Sequence, residues 1–219
     1  MIHHHESARS PMRAERNATP LFATMALGIL MLVLALFLLR HGPASHLNVR
    51  LLLGLHHHVS PGMMKGAMWL SRVLQPSIVG ILSLATGGFL WLKGHKAEGA
   101  PLALGAILAV AITEVLKHVI HELRPHLFIG PIVEHSYGFP SGHSFVSAGL
   151  IVFAAALLGR RLGSGSRIAF IVLALLLGLL IGLSRLVLGV HWPTDVLAGF
   201  SLALILFPLC YLALGRQAS

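Results

Sequence analysis

The chain has 219 residues, 56% of them hydrophobic and 11% charged, with a mean hydropathy of +0.83. A soluble domain carries about 25% charged residues, so an ordinary soluble globule is excluded. The net charge of +9 comes from basic residues scattered between apolar stretches, which argues against nucleic acid as a partner and for anionic head groups or a phosphorylated substrate.

Residues 1–20 are polar and read as a cytoplasmic N-terminal tail, with Arg9, Arg13 and Arg16. His3, His4 and His5 are an incidental tract on it. The apolar run that follows is too long for a signal-peptide core and reads as a retained first span, Leu21 to Leu39. A span needs about 20 apolar residues. By that measure five more follow: Ser77 to Leu92, Pro101 to Ile120, His143 to Leu158, Ile168 to Val187 and Thr194 to Leu214. The expectation is an all-α, polytopic membrane protein of six transmembrane helices, with residues 21–215 as one domain.

The connection from His41 to Gln75 is not uniformly polar. Leu47, Leu51, Leu52 and Leu55, then Met64, Met68 and Trp69, recur at helical spacing with Arg50, Lys65 and Arg72 between them. This pattern predicts one or two interfacial helices between spans one and two, broken at Pro61-Gly62. The triplet His56, His57 and His58 points three ways on a helix and is not read as a metal site. In span five, Ala174, Gly178 and Gly182 recur every four residues, a small-residue stripe for close helix contact. Pro208 is expected to kink span six. Cys210 stands alone and allows neither an internal disulfide nor a cysteine-based zinc site.

With the N-terminus inside, nine Lys and Arg fall on the inner side and seven on the outer. Three of the outer seven (Lys117, Arg124 and Arg185) belong to the cluster described next, and nine against four then supports both termini in the cytoplasm. The ends of spans three and five and the starts of spans four and six then share the outer face, and the unusual polar residues sit there.

Lys117 and Arg124 are seven residues apart, which on a helix projects both from nearly the same side; Pro125 predicts that the helix ends at Arg124. Pro140-Ser141-Gly142-His143 leads into span four. A helix N-terminus offers N–H groups and partial positive charge to an anion, and Ser141 can cap the helix or donate to that anion. In Ser184–Asp195, Arg185 supplies a planar fork suited to phosphate, and His191 and Asp195 are four apart. A carboxylate on one imidazole nitrogen leaves the other free as nucleophile or base. No paired carboxylates suited to two-metal chemistry accompany these groups. The cluster therefore fits metal-free, cofactor-free phosphoryl transfer, in which one histidine attacks phosphorus and the other protonates the leaving oxygen. His191 is favoured as the attacker by its aspartate, though the spacing alone leaves the two roles open.

Lys117-x6-Arg124-Pro125, Pro140-Ser141-Gly142-His143 and Ser184-Arg185-x5-His191-x3-Asp195 resemble the tripartite signature of the type 2 phosphatidic acid phosphatase superfamily, with every position filled in order across residues 117–195. The six-span layout is similar to that of its bacterial membrane lipid phosphatases. The resemblance implies that His191 forms a phosphohistidine, Asp195 orients it, and His143 is general acid and then base. It implies that Lys117, Arg124, Ser141, Gly142 and Arg185 hold the phosphate. Implied substrates are phosphatidylglycerophosphate, phosphatidic acid, undecaprenyl diphosphate or lipid A, at the extracytoplasmic face of the cytoplasmic membrane. The segment His126–Phe139, with Glu134, His135 and Tyr137, is expected to shape the head-group pocket. A haloperoxidase would share the anion pocket but has no use for the spans. A transporter would put charge mid-span, where Glu114 is the only acidic residue and Lys117 can pair with it.

Overall fold

The computed structural model describes residues 11–40, 46–127, 132 and 134–215, with side chains from residue 19 to residue 38 in the first stretch. His3, His4, His5, Arg9 and Arg216 lie outside the described residues, as does part of the His126–Phe139 segment. The helices are α1 (Pro11–Arg40), α2 (His46–His56), α3 (Pro61–Val73), α4 (Pro76–Leu92) and α5 (Lys96–Ile120). A π-helical turn, His143–Ala148, runs into α6 (Gly149–Leu158), and α7 (Ser164–Val187) and α8 (Pro193–Cys210) follow. No strand occurs among the described residues.

Five stretches are long and apolar enough to cross a bilayer: Thr19–Leu38, Lys96–Ile120, His143–Arg161, Ser164–Val187 and Pro193–Gly215. The second expected span is α4, whose 17 residues reach only about 25 Å at 1.5 Å per residue. Joined with α3 it is long and apolar enough to cross, as a pair bent by 41°. The bend follows from Pro76, which lacks an N–H and disfavours helix at Gln75. The earlier break falls just before Pro61, because the Ser60 hydroxyl accepts from Met63 N at 3.2 Å and Pro61 takes the first helical position. Of the histidine triplet, His56 Nε2 lies 3.1 Å from Leu186 O and ties α2 to α7, while His57 and His58 are exposed.

The span at His143–Arg161 is 67% buried within the protein, against 39% for those of α5, α7 and α8 and 11% for α1. It is therefore the central post. Phe145, Leu150 and Phe153 pack on Leu102, Ala106 and Ala109 of α5 and on Ala203 and Phe207 of α8. The Phe153 and Phe207 rings stack at 5.0 Å. Outward faces stay apolar, as with Leu173, Leu176 and Leu180 of α7; in water such a surface would aggregate, and against lipid it costs nothing.

The small-residue stripe expected on span five does face the neighbouring helices. Ala174, Gly178 and Gly182 are all buried on α7. A Cβ on Gly182 would lie 2.5 Å from the Phe200 ring. Helix α8 continues through Pro208, and its α-helical pattern gives way at Tyr211 to a π-helical turn, Tyr211–Gly215. The expected end of α5 is corrected: the helix stops at Ile120, not Arg124. His121 adopts a left-handed conformation at φ 54° and its N–H closes onto Lys117 O at 3.1 Å.

One glycine decides how the site is assembled. A Cβ on Gly199 would lie 2.7 Å from Ser144 Cβ and 2.8 Å from Ser141 O, so α8 crosses the start of the central helix only because nothing is there. Gly199→Val is expected to force α8 outward and to cost about 1–3 kcal/mol of overpacking strain. Because Asp195 lies one helical turn away, activity should fall together with thermal stability in detergent. An unchanged melting temperature would contradict this close crossing.

Candidate active site

A cavity of about 700 Å³ is lined by Lys117, Arg124, Gly142, His143, Arg185 and His191, together with Ser71, Arg72, Gln75 and Glu134. Six of the eight residues picked out by sequence face it. The other two, Ser141 and Asp195, are fully buried and lie behind its wall.

His191 immediately precedes α8. Trp192 is the N-cap and Pro193 the first helical residue. Asp195, in the first turn, accepts from Trp192 N at 2.9 Å, and the same Oδ2 lies 3.1 Å from His191 Nδ1. Arg124 Nη1 lies 3.0 Å from His191 Nε2. A guanidinium only donates, so Nε2 accepts and the ring proton sits on Nδ1, shared with Asp195. Burial, reinforced by the charges of Arg124 and Arg185, holds His191 well below the usual imidazole range. The ring is therefore neutral at pH 7, with its Nε2 lone pair on the cavity side.

Lys117 and Arg124 are not brought together by helical spacing. They meet because both donate to Ser136: Lys117 Nζ to Oγ at 3.3 Å, and Arg124 Nη2 to Oγ at 3.1 Å and Nε to the carbonyl at 2.7 Å. Arg124 also donates to Tyr137 O at 3.2 Å and Val190 O at 2.7 Å. Glu114 pairs with Lys117 at 3.7 Å, as the sequence suggested. The fully buried Arg185 donates to Ser71 Oγ and, at 2.6 Å, to Glu134 Oε1, while Glu134 Oε2 lies 3.9 Å from Arg124. Burial alone would raise the Glu134 carboxyl, but the Arg185 and Arg124 charges outweigh it and hold it below its ordinary range. The Glu134 part of the segment thus reaches the cavity. His135 is exposed, and Tyr137 contributes its carbonyl and a ring edge 4.5 Å from His121.

His143 stands at the head of the central helix, with Nε2 3.1 Å from Ser71 O and 3.3 Å from Ser71 Oγ. Gly142 lines the cavity beside it. Ser141 donates its N–H to Asp195 O at 3.1 Å, and its hydroxyl accepts from Ser144 Oγ at 3.2 Å. This arrangement turns the Ser141 hydroxyl toward Ser144, and the Ser141 N–H ties α8 to the central helix.

Sequence reasoning missed Ser71, Asn48 and Glu122. Ser71 sits on α3, whose apolar stripe gave no reason to expect it beside the site. Asn48 Nδ2 donates to Thr194 Oγ1 at 3.1 Å and moors α2 to the start of α8. Glu122 is 5% exposed, and neither of its carboxyl oxygens has a hydrogen-bond partner, nor has Asp195 Oδ1. Burial, with the Asp195 charge added, pushes Glu122 up to about 8. The folded chain therefore binds a proton that the unfolded chain releases above about 4.5. Stability falls as pH rises from 4.5 through 8. Glu122→Gln is expected to flatten that slope and to gain, on the order of a few kcal/mol, at the alkaline end. Melting curves of both chains from pH 5 to pH 9 measure it, and parallel curves would contradict it.

A family model described as the PAP2 superfamily matches residues 98–218. Phosphatidylglycerophosphatase B of Bacillus subtilis is 41% identical over 99 residues, which are 44% of this chain and 48% of that protein. Decaprenylphosphoryl-5-phosphoribose phosphatase of Mycolicibacterium smegmatis is 36% identical over 141 residues, 64% of this chain and 72% of the relative. The match thus spans about half the length of the first and nearly three quarters of the second. The crystal structure of a transmembrane PAP2-type phosphatidylglycerolphosphate phosphatase from Bacillus subtilis superposes with a TM-score of 0.75 at 25% identity, over 85% of this chain and 94% of that one.

Proposed function

The chain belongs to the PAP2 superfamily, and from that premise we propose that it is an integral membrane lipid phosphatase that removes a terminal phosphate through a phosphohistidine. The observation that carries this reading is the neutral His191, its Nδ1 held by Asp195 and its Nε2 facing a cavity lined by Lys117, Arg124 and Arg185. The three cations and the helix head at Gly142 surround the phosphate oxygens and stabilise the charge of the transition state. The Nε2 lone pair forms the bond to phosphorus as the bond to the leaving oxygen breaks. His143 gives that oxygen its proton, and the lipid alcohol (from a diphosphate, the lipid monophosphate) departs. His143 then takes a proton from water, the water oxygen attacks phosphorus, the P–N bond breaks and inorganic phosphate leaves. Asp195 holds the imidazolium-like charge that His191 carries meanwhile. Ser141 reaches the phosphate only if its hydroxyl turns away from Ser144.

The substrate is a phosphorylated lipid: undecaprenyl diphosphate, phosphatidylglycerophosphate or phosphatidic acid, with lipid A as the alternative. The relatives' names support the class, and the apolar spans beside the cavity suit acyl or prenyl tails. The excess of basic residues on the tail and the even-numbered connections supports cytoplasmic termini and an extracytoplasmic site in the cytoplasmic membrane. Phosphate release across a panel of these lipids, with and without EDTA, tests the reading. We expect turnover on at least one lipid phosphate, unaffected by the chelator. Loss with EDTA and rescue by a divalent ion would overturn the metal-free mechanism.

A further inference from the structure

A second large cavity, about 1130 Å³, opens between α1, α6, α7 and α8. Its walls are apolar, among them Met31, Val152, Leu175, Leu179, Leu204 and Phe207. It runs along the central helix from Ala148 to Arg160, and its polar mouth lies at the end of that helix away from the phosphate site. From His143 to Arg160 the helical rise is roughly 25 Å, close to the ~30 Å of a bilayer's hydrocarbon core. The polar mouths of the two cavities therefore face opposite leaflets.

Its polar end carries Arg160, Arg167 and Tyr211. The neighbouring Arg161 is neutralised by Glu98 at 3.5 Å. Arg160 donates to the Tyr211 hydroxyl at 2.8 Å and lies over that ring at 5.4 Å. Among the described residues no carboxylate lies within ion-pairing distance of Arg160 or Arg167. A snorkelling arginine needs no cavity beneath it, and an unselective groove for lipid tails needs no arginines. Here two cations with no acidic partner among the described residues stand at the mouth of one deep apolar slot.

We propose that this crevice holds one anionic phospholipid of the leaflet opposite the catalytic cavity. Its phosphate rests on Arg160 and Arg167, and an acyl chain fills the slot between α1 and α7. Charge complementarity selects the head group, and the slot selects a tailed ligand over free phosphate. This site does not depend on the hydrolytic reading, because none of its residues takes part in phosphoryl transfer.

The test is native mass spectrometry of the full-length chain, purified in detergent, with phosphatidylglycerol or phosphatidylcholine of identical acyl chains. We expect one phosphatidylglycerol retained per chain at roughly thirtyfold preference, the size two basic side chains give at a lipid surface. Arg160→Gln with Arg167→Gln, both on exposed side chains, should bring the two lipids to parity. Ala156→Trp, which fills the slot, should expel both. Equal retention by the parent overturns the proposal, as does a phosphatidylglycerol preference that survives the arginine double variant, since that variant leaves the catalytic arginines in place. Lipid-free dimers in place of lipid-bound monomers would assign the face to a second copy and overturn it too.

Discussion

Purified His191→Ala is expected to release phosphate from lipid substrates at least about 10⁴-fold more slowly than the parent chain, with the fold retained. Its Nε2 is the cavity nitrogen whose lone pair is fixed by the tautomer: Nδ1 faces Asp195 at 3.1 Å, and only a donor, Arg124, faces Nε2. Removing the ring leaves Lys117, Arg124 and Arg185 in place, so binding of inorganic phosphate should persist within a few-fold while kcat collapses. That split separates loss of a nucleophile from loss of a pocket. Asp195→Asn tests the same logic from behind. The amide oxygen stays on the Trp192 N–H and can still accept from Nδ1, but it carries no charge to hold the imidazolium that His191 becomes; a loss of roughly 10²–10⁴-fold follows. Acid-quenched parent enzyme should carry labelled phosphate from substrate, and His191→Ala should carry none. Near-parental turnover by His191→Ala would overturn the mechanism.

The spans and the signature residues were legible because each leaves a local trace. A membrane crossing demands about 20 apolar residues in a row, and His191 with Asp195 needs only one turn between them. The assembly of the site left no such trace. Arg124 is held by the carbonyls of Ser136, Tyr137 and Val190, and every residue type carries a carbonyl. The same holds for His143, whose partner is the Ser71 backbone as well as its hydroxyl. Pro125 was a visible helix stop, yet α5 ends earlier, through a left-handed His121 that no rule of composition anticipates. The bent pairing of α3 with α4 escaped notice because α3 alone reads as an amphipathic surface helix. Glu122 carries no local sequence signal. Only burial against Asp195 turns it into a carboxyl that holds its proton.

His143→Ala should fail in a different way from His191→Ala, and the difference separates the two histidines. With a lipid phosphate, whose alkoxide leaving group needs a proton, loss of the general acid is expected to cost about 10²–10⁴-fold. With an aryl phosphate such as p-nitrophenyl phosphate, the leaving oxygen needs no proton, and the first transfer to His191 should survive. Hydrolysis of the phosphohistidine still requires a base for water, and that base is gone. His143→Ala should therefore release about one equivalent of nitrophenolate in a burst, then turn over slowly, with phosphate accumulating on the protein. His191→Ala, lacking the nucleophile, should show no burst with either substrate. The Ser71 carbonyl and hydroxyl that hold the His143 ring make a graded version available. Ser71→Ala frees one of the two contacts and removes a partner of Arg185, so it should lower turnover on lipid phosphate more than on the aryl ester. A burst from His191→Ala, or steady parental turnover of the aryl ester by His143→Ala, would show that the acid and the nucleophile had been assigned to the wrong rings.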